Sequence, residues 1–206
     1  MKKIGLLLGS FDPIHIAHVN VASSVINGGL CDKVLFVVAK HNPWKKNAPA
    51  DFDLRCRMIE ASIAPWGDRC EVCRLEEDIE PPTYSYKVIE KLREQHPEDE
   101  LFLICGTDTV ERLPQWKKYE TDIKPYVGVI EVKRGDGMEI DNKSLPFKIH
   151  EGSRCELTNK GFWYIKTQRI DASSTLVRRM LHDGMNPLPY VTKEALEIIK
   201  ENNLYR

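Results

Sequence analysis

The sequence contains no apolar run near the roughly 20 residues that a membrane-crossing helix requires, so it predicts no membrane span. Its first apolar run, Ile4 to Leu8, is too short for the core of a secretory signal, and Gly9, Ser10 and Asp12 interrupt it at once. Without such a signal the expected compartment is the cytoplasm, where thiols stay reduced. An excess of one charge is also missing: 30 Lys and Arg face 31 Asp and Glu, a net charge of -1. That balance argues against a broad nucleic-acid or anionic-membrane surface, while a small basic pocket stays compatible with it.

Cysteine is present but does not complete a ligand set. The six are Cys31, Cys56, Cys70, Cys73, Cys105 and Cys155. Cys70-Glu-Val-Cys73 has the spacing of a zinc knuckle or a redox pair, yet no second CxxC or histidine pair accompanies it. Cys70 to Leu75 also reads as a strand, which sends residues three apart to opposite faces. Buried or half-buried free thiols are therefore expected. No cluster of carboxylates marks a metal site held by the protein, and there is no repeat, low-complexity stretch or clear linker. At 206 residues the chain fits a single domain, residues 1–206, with a helical C-terminal portion from about residue 173.

What is present is alternation. Ile4 to Leu8, Lys33 to Ala39 and Leu101 to Cys105 are short apolar runs of the kind found in central parallel strands. Tyr126 to Val132 and a piece near Phe162 to Ile165 read as further strands. Helical spacing appears at His15 to Ile26, Asp53 to Ile63, Ser85 to Gln95, Ser173 to Leu181 and Lys193 to Glu201. Strands alternating with helices predict an α/β protein, a doubly wound and mostly parallel sheet with ligands at the strands' carboxyl ends. Two turn-rich stretches, His41 to Asp51 and Arg134 to Pro146, are candidates for functional loops.

The first strand runs straight into Gly9-Ser10-Phe11-Asp12-Pro13-Ile14-His15-Ile16-Ala17-His18. Gly9 allows close approach of a ligand to the backbone. Pro13 suits the start of a helix. His15 and His18, three apart, share a face near a helix N-terminus that favours anions. A lone histidine there would read as a helix cap or a surface residue; two on one face beside this turn favour a phosphate-binding function. Ser173-Ser174-Thr175-Leu176-Val177-Arg178 offers hydroxyls and backbone N–H groups at a second helix start, with an arginine one turn on. Taken alone, that stretch would be an N-cap with an exposed arginine.

Together the two segments resemble the paired signatures of the HxGH nucleotidyltransferase superfamily, G-x-F-D-P-x-H-x-G-H and I-S-S-T-x-I/V-R. Ala17 and Ala172 depart from the usual glycine and isoleucine. Within the superfamily the chain resembles the nicotinate-nucleotide adenylyltransferases, along residues 4 to 205. Gly106-Thr107-Asp108 is similar to their G-x-D turn beside the adenosine. Leu113-Pro114-Gln115-Trp116 is similar to the stretch whose tryptophan stacks on the pyridine ring. Thr83-Tyr84-Ser85-Tyr86 and Lys133-Arg134-Gly135 occupy two further places around the nucleotide. Asn42-Pro43-Trp44-Lys45-Lys46 resembles a loop whose basic residue, here Lys45, reaches the phosphates.

The resemblance implies a Rossmann-like nucleotidyltransferase fold and transfer of AMP from ATP, brought with Mg²⁺, to nicotinic acid mononucleotide. His15, His18, Lys45 and Arg178 would be catalytic. Gly9, Ser10, Phe11, Gly106, Asp108, Ser174 and Thr175 would join His15, His18 and Arg178 around ATP. Tyr84, Ser85, Trp116 and Arg134 would bind the pyridine nucleotide. Nicotinamide mononucleotide or phosphopantetheine as acceptor, and a nucleotide-binding regulator without turnover, are the alternatives; the phosphopantetheine enzymes are shorter and lack the Pro-x-Trp stretch. Lys117, beside Trp116, could favour the acid form of the pyridine, though an exposed lysine is the simpler reading. The expected partners are ATP and a pyridine mononucleotide, with no nucleic acid and no membrane, and a homo-oligomer is left open.

Overall fold

The structure, a computed structural model, describes residues 1–40, 50–135, 147–149 and 157–206. Its sheet follows the order β3-β2-β1-β4-β5-β7-β6. The strands are β1 (Lys3–Gly9), β2 (Lys33–Val38), β3 (Cys70–Cys73), β4 (Glu100–Gly106), β5 (Val127–Gly135), β6 (Phe147–Ile149) and β7 (Phe162–Gln168). Six of them form a parallel array, and β6 lies antiparallel to β7 at the edge. The mostly parallel, doubly wound sheet is therefore what the apolar runs predicted. β5 and β7 extend past the runs that announced them, into Lys133-Arg134-Gly135 and Lys166-Thr167-Gln168. Those charged and polar residues conceal the strand's continuation, because periodicity registers burial and not backbone pairing.

Helices α1 (Ile16–Asn27), α2 (Phe52–Ile63), α3 (Ser85–Gln95), α4 (Thr107–Val110), α5 (Ser174–His182) and α6 (Lys193–Glu201) connect and cover the strands. Three begin on side-chain caps. Asp51 accepts from the Leu54 N–H at 2.8 Å, Ser173 from that of Leu176 at 3.1 Å, and Thr192 from that of Ala195 at 3.2 Å. Each cap satisfies one N–H that the first turn leaves without an intrahelical partner.

Strand alternation divides the core between the two faces. Leu101, Leu103 and Cys105 of β4 join Ile4, Leu6, Val129 and the α3 residues Val88, Ile89 and Leu92. Phe102 and Ile104 turn to the opposite face with Phe36, Ile130, Val25, Met58 and Ile59. Ala195 and Ile199 of α6 belong to that second cluster, so α6 packs with α1 and α2. No described helix is long and apolar enough to cross a membrane.

The chain leaves β1 outward to β2 and β3, then returns to place β4 on β1's other side. Strands β1 and β4 thus flank a switch in winding direction, where the loops diverge and open a crevice at the carboxyl ends. Gly9 to His18 leaves one of these strands and Gly106-Thr107-Asp108 the other.

Candidate active site

The turn after β1 is built around Phe11. This residue takes a left-handed backbone (φ 47°), is 3% exposed, and folds its ring back over Gly9. A Cβ on Gly9 would lie 3.0 Å from that ring, so the missing side chain serves the turn itself before any ligand. Pro13 follows Asp12 through a cis peptide and stands three residues ahead of α1. The helix the sequence placed from His15 begins one residue on, with His15 at the N-cap.

His15 and His18 do share a face: their rings stack with centroids 3.6 Å apart. Phe11 meets the His18 ring edge-on at 5.0 Å. The His15 backbone N–H donates to His18 Nδ1 at 3.2 Å. That contact makes Nδ1 an acceptor, so in the neutral ring Nε2 carries the proton and is the donor. The N–H of Ile16 is held by the Tyr190 carbonyl at 2.9 Å, which takes one donor of the α1 N-terminus out of ligand binding. Ala17 is buried, so its methyl group is packed against protein.

Helix α5 closes on this turn from 161 and 166 residues away. Ser174 Oγ donates to the Pro13 carbonyl at 2.9 Å, and Arg178 Nη1 donates to the Asp12 carbonyl at 2.6 Å. Arg178 Nη2 also donates to Thr175 Oγ1 at 3.3 Å. The two motifs therefore meet through hydrogen bonds. Ser174 spends its hydroxyl proton on protein and acts as a brace, and Ser173 caps α5. Thr175 stays exposed at the helix start.

Across the switch point Gly106 N-caps α4, with Thr107 and Asp108 in its first turn. A Cβ on Gly106 would stand 3.0 Å from Asp108 Oδ1. The exposed Asp108 carboxylate thus curls back over the strand end, where it can accept hydrogen bonds from sugar hydroxyls. Thr107 Oγ1 donates to Glu131 Oε1 at 2.8 Å, from a carboxylate fully buried on β5.

The candidate pyridine side assembles on the α3 face of the sheet. Tyr84 and Tyr86 stack with centroids 6.0 Å apart. Lys117 Nζ lies 4.3 Å above the Tyr84 ring and Lys118 Nζ 4.5 Å above that of Tyr86. Lys117 is therefore engaged by an aromatic face, as cations commonly are. Trp116, half-buried, packs on the same cluster as Tyr86, and Ser85 opens α3. Arg134 pairs with Thr167 across β5 and β7. Lys45 lies outside the described residues, as do Asn42, Pro43, Trp44 and Lys46.

Sequence reasoning assigned no role to three residues that hold the site. Arg55 is 2% exposed, and its Nη1 donates to the carbonyls of Ser10 at 2.6 Å and Ala39 at 2.8 Å, tying the ends of β1 and β2 together. A charge placed three and four residues before the core positions Met58 and Ile59 was a signal for it. Asp12 is 1% exposed, and its Oδ1 accepts from the Tyr205 hydroxyl at 2.6 Å. Nothing local could have revealed a contact spanning 193 residues. Burial and the Asp12 bond push the Tyr205 phenol far above its ordinary pKa, keeping it a donor.

Cys70 and Cys73 lie on β3, buried and half-buried, as free thiols. A cavity of about 270 Å³ beside Cys73, bordered by Glu71, Arg74, Glu77, Asp78 and His96, is lined by no residue of either motif. Its arginine is occupied by Glu77 and Asp53, so its acidic wall suits a polyphosphate poorly. Among the described residues no three His, Cys, Asp or Glu side chains converge as a metal site.

A parallel sheet with a phosphate-type turn at its switch point, braced by a serine and an arginine from a distant helix, defines a nucleotidyltransferase. The chain belongs to the cytidylyltransferase-like family, which matches residues 6–180. It is 33% identical to a protein of Bacillus pumilus, over 100% of this chain and 99% of that one. It is 32% identical to one of Thermus thermophilus, over 99% and 100%. Both carry the name "probable nicotinate-nucleotide adenylyltransferase". The fold is also that of Plasmodium falciparum nicotinic acid mononucleotide adenylyltransferase complexed with NaAD, at TM-score 0.74 and 22% identity, covering 100% of this chain and 98% of that one.

Proposed function

We propose that the chain is a nicotinate-nucleotide adenylyltransferase of NAD biosynthesis, joining ATP to nicotinic acid mononucleotide to give nicotinic acid adenine dinucleotide and pyrophosphate. The observation that carries this reading is the grip of Ser174 and Arg178 on the Asp12-Pro13 turn, which brings two distant motifs together as a shared phosphate site would require. Full-length relatives at about 30% identity supply the acceptor.

In the reaction an oxygen of the mononucleotide's phosphate attacks the α-phosphorus of ATP. The bond to the bridging α–β oxygen breaks, and pyrophosphate leaves with that electron pair. A phosphate with a second pKa of about 6 is already ionised near neutral pH, so no general base is needed. The protein's task is to align two anions and to offset the charge that grows on the leaving group. His18 points an Nε2–H donor, fixed in that tautomer by the His15 N–H, and His15 stacks against it. Arg178, anchored by two bonds, has further N–H donors for phosphate oxygens. Lys45 would add a second cation. Asp108 would hold ribose hydroxyls, and Trp116 with the Tyr84 and Ser85 segment would hold the pyridine, with Arg134 near the nucleotide.

Magnesium brought with ATP would supply charge neutralisation at the phosphates, beside His18, Lys45 and Arg178. A single domain over residues 1–206 is supported by the brace of α5 on the first loop and by the core that α6 shares with α1 and α2. Ala17 and Ala172 are both buried against protein, so neither departure favours loss of turnover.

Pyrophosphate release from ATP, measured in parallel with nicotinic acid mononucleotide, nicotinamide mononucleotide and phosphopantetheine, tests the reading. Fastest turnover is expected with the first. A higher kcat/KM with either of the others would replace the acceptor, and none with all three would remove the reaction.

A further inference from the structure

We propose that Tyr205 is a positioning residue for ATP, its hydroxyl holding the Asp12 carboxylate and through it the turn that receives the triphosphate. The inference rests on the adenylyltransferase reading above.

Residues 10–13 form a segment on which four distant groups converge. Arg55 of α2 holds the Ser10 carbonyl, Arg178 that of Asp12 and Ser174 that of Pro13, while Tyr205 holds the Asp12 side chain. The first three restrain carbonyls, which any residue at those positions would supply. Tyr205 alone restrains a side chain, and a charged one. A carboxylate that is 1% exposed must find donors inside the protein, and a 2.6 Å O–H···O⁻ bond is short and charge-assisted.

The segment after α6 is shaped to deliver that hydroxyl. The Leu204 N–H returns to the Ile199 carbonyl at 3.0 Å, closing the helix end. Asn203 and Tyr205 both adopt left-handed backbones, φ 51° and 63°, a conformation that costs energy in residues with a Cβ and persists where surrounding contacts impose it. The result turns the ring inward against the core cluster that includes Phe11 and Ile14. Arg55 and Arg178 are close enough to act on the phenol electrostatically, so Tyr205, Asp12 and the two guanidinium groups form one cluster under the phosphate turn.

The position predicts which substrate is affected. Asp12 stands between Phe11 and the His15–His18 pair in the chain, and its neighbours Phe11 and Ile14 and its partner Tyr205 belong to the face of the sheet covered by α1, α2 and α6. Tyr86 and Trp116, on the candidate pyridine side, pack on the opposite face. Loosening Asp12 should therefore disturb ATP and spare the mononucleotide.

The test is Tyr205→Phe, which keeps the ring and its packing. ATP affinity by calorimetry and both KM values are measured on the folded protein. ATP should bind roughly 5- to 20-fold more weakly, with a matching rise in its KM, while KM for nicotinic acid mononucleotide stays within about twofold. A merely structural role would reduce the folded fraction, lowering the maximal rate and leaving both KM values in place. Asp12→Ala provides the second arm: in that background removing the Tyr205 hydroxyl should change ATP affinity less than about twofold. An unchanged ATP affinity in Tyr205→Phe overturns the inference, as does an equal loss in both backgrounds. A parent protein that binds ATP but releases no pyrophosphate overturns the adenylyltransferase reading alone, and the affinity comparison still judges Tyr205. A parent that does not bind ATP overturns both.

Discussion

Replacing Arg178 separates its structural work from its chemical work. Its guanidinium carries five N–H donors, and the structure commits Nη1 to the Asp12 carbonyl and Nη2 to Thr175. Arg178→Lys keeps the charge and loses the fork, since one ammonium cannot brace the turn and face a phosphate in the same geometry. Losing the brace removes about 1 kcal/mol of net stability, which for a chain of this size lowers Tm by roughly 2–4 °C. Losing a charge-assisted bond to the transition state removes about 1.5–3 kcal/mol, equivalent to a roughly 10- to 150-fold fall in kcat/KM. Arg178→Ala also deletes the charge, and a fall of about 10²–10³-fold or more is expected. Coupled detection of pyrophosphate, with differential scanning fluorimetry on the same samples, measures both effects. A kcat/KM for Arg178→Lys within threefold of the parent, at the lowered Tm, would refute a phosphate role and leave Arg178 as a brace.

The other expectations concern separate parts of the molecule. His18→Ala should lower kcat by about 10² or more through the lost Nε2–H donor, with the circular dichroism spectrum unchanged; near-parental turnover contradicts the tautomer argument. Trp116→Ala should raise KM for the mononucleotide by roughly 2- to 12-fold and leave that for ATP near its starting value, since stacking is worth about 0.5–1.5 kcal/mol; a shift confined to ATP would move Trp116 out of the pyridine site. Arg55→Ala should cost about 3 kcal/mol or more, because the Ser10 and Ala39 carbonyls lose their shared donor, and a denaturant midpoint equal to the parent's would contradict that. Burial raises the thiols of Cys31 and Cys105 to about 12 and those of Cys56 and Cys70 to about 11, from an ordinary 9.0. Above pH 9 the unfolded chain therefore loses protons that the native one keeps, so stability is full below that pH and falls as pH rises towards 11–12. A denaturation series that is flat over this window would contradict such burial.

Much of the fold was legible because parallel strands buried on both faces must be apolar throughout. Ile4 to Leu8, Lys33 to Ala39 and Leu101 to Cys105 all announce themselves, and α3 was read to its ends from the spacing of Val88, Ile89 and Leu92. The polar extension of β5 and β7 and the antiparallel edge strand β6 were not legible, since hydrogen bonding between strands leaves no mark on side-chain periodicity. At the site, local chemistry pointed to His15, His18 and Arg178, and the family resemblance to Trp116.

By itself the sequence determined the alternation of strands and helices, the two phosphate-type segments and the class of chemistry they suit. These are properties of residue type and of spacing within one element, which propensity and periodicity express. Only the tertiary structure decided that Ser174 is a brace, that Gly9 makes room for Phe11, that Arg55 ties two strand ends, and that Tyr205 reaches Asp12. Those roles depend on groups meeting across long stretches of chain, and such meetings are set by the order of the strands and the packing of α2, α5 and α6 on the sheet.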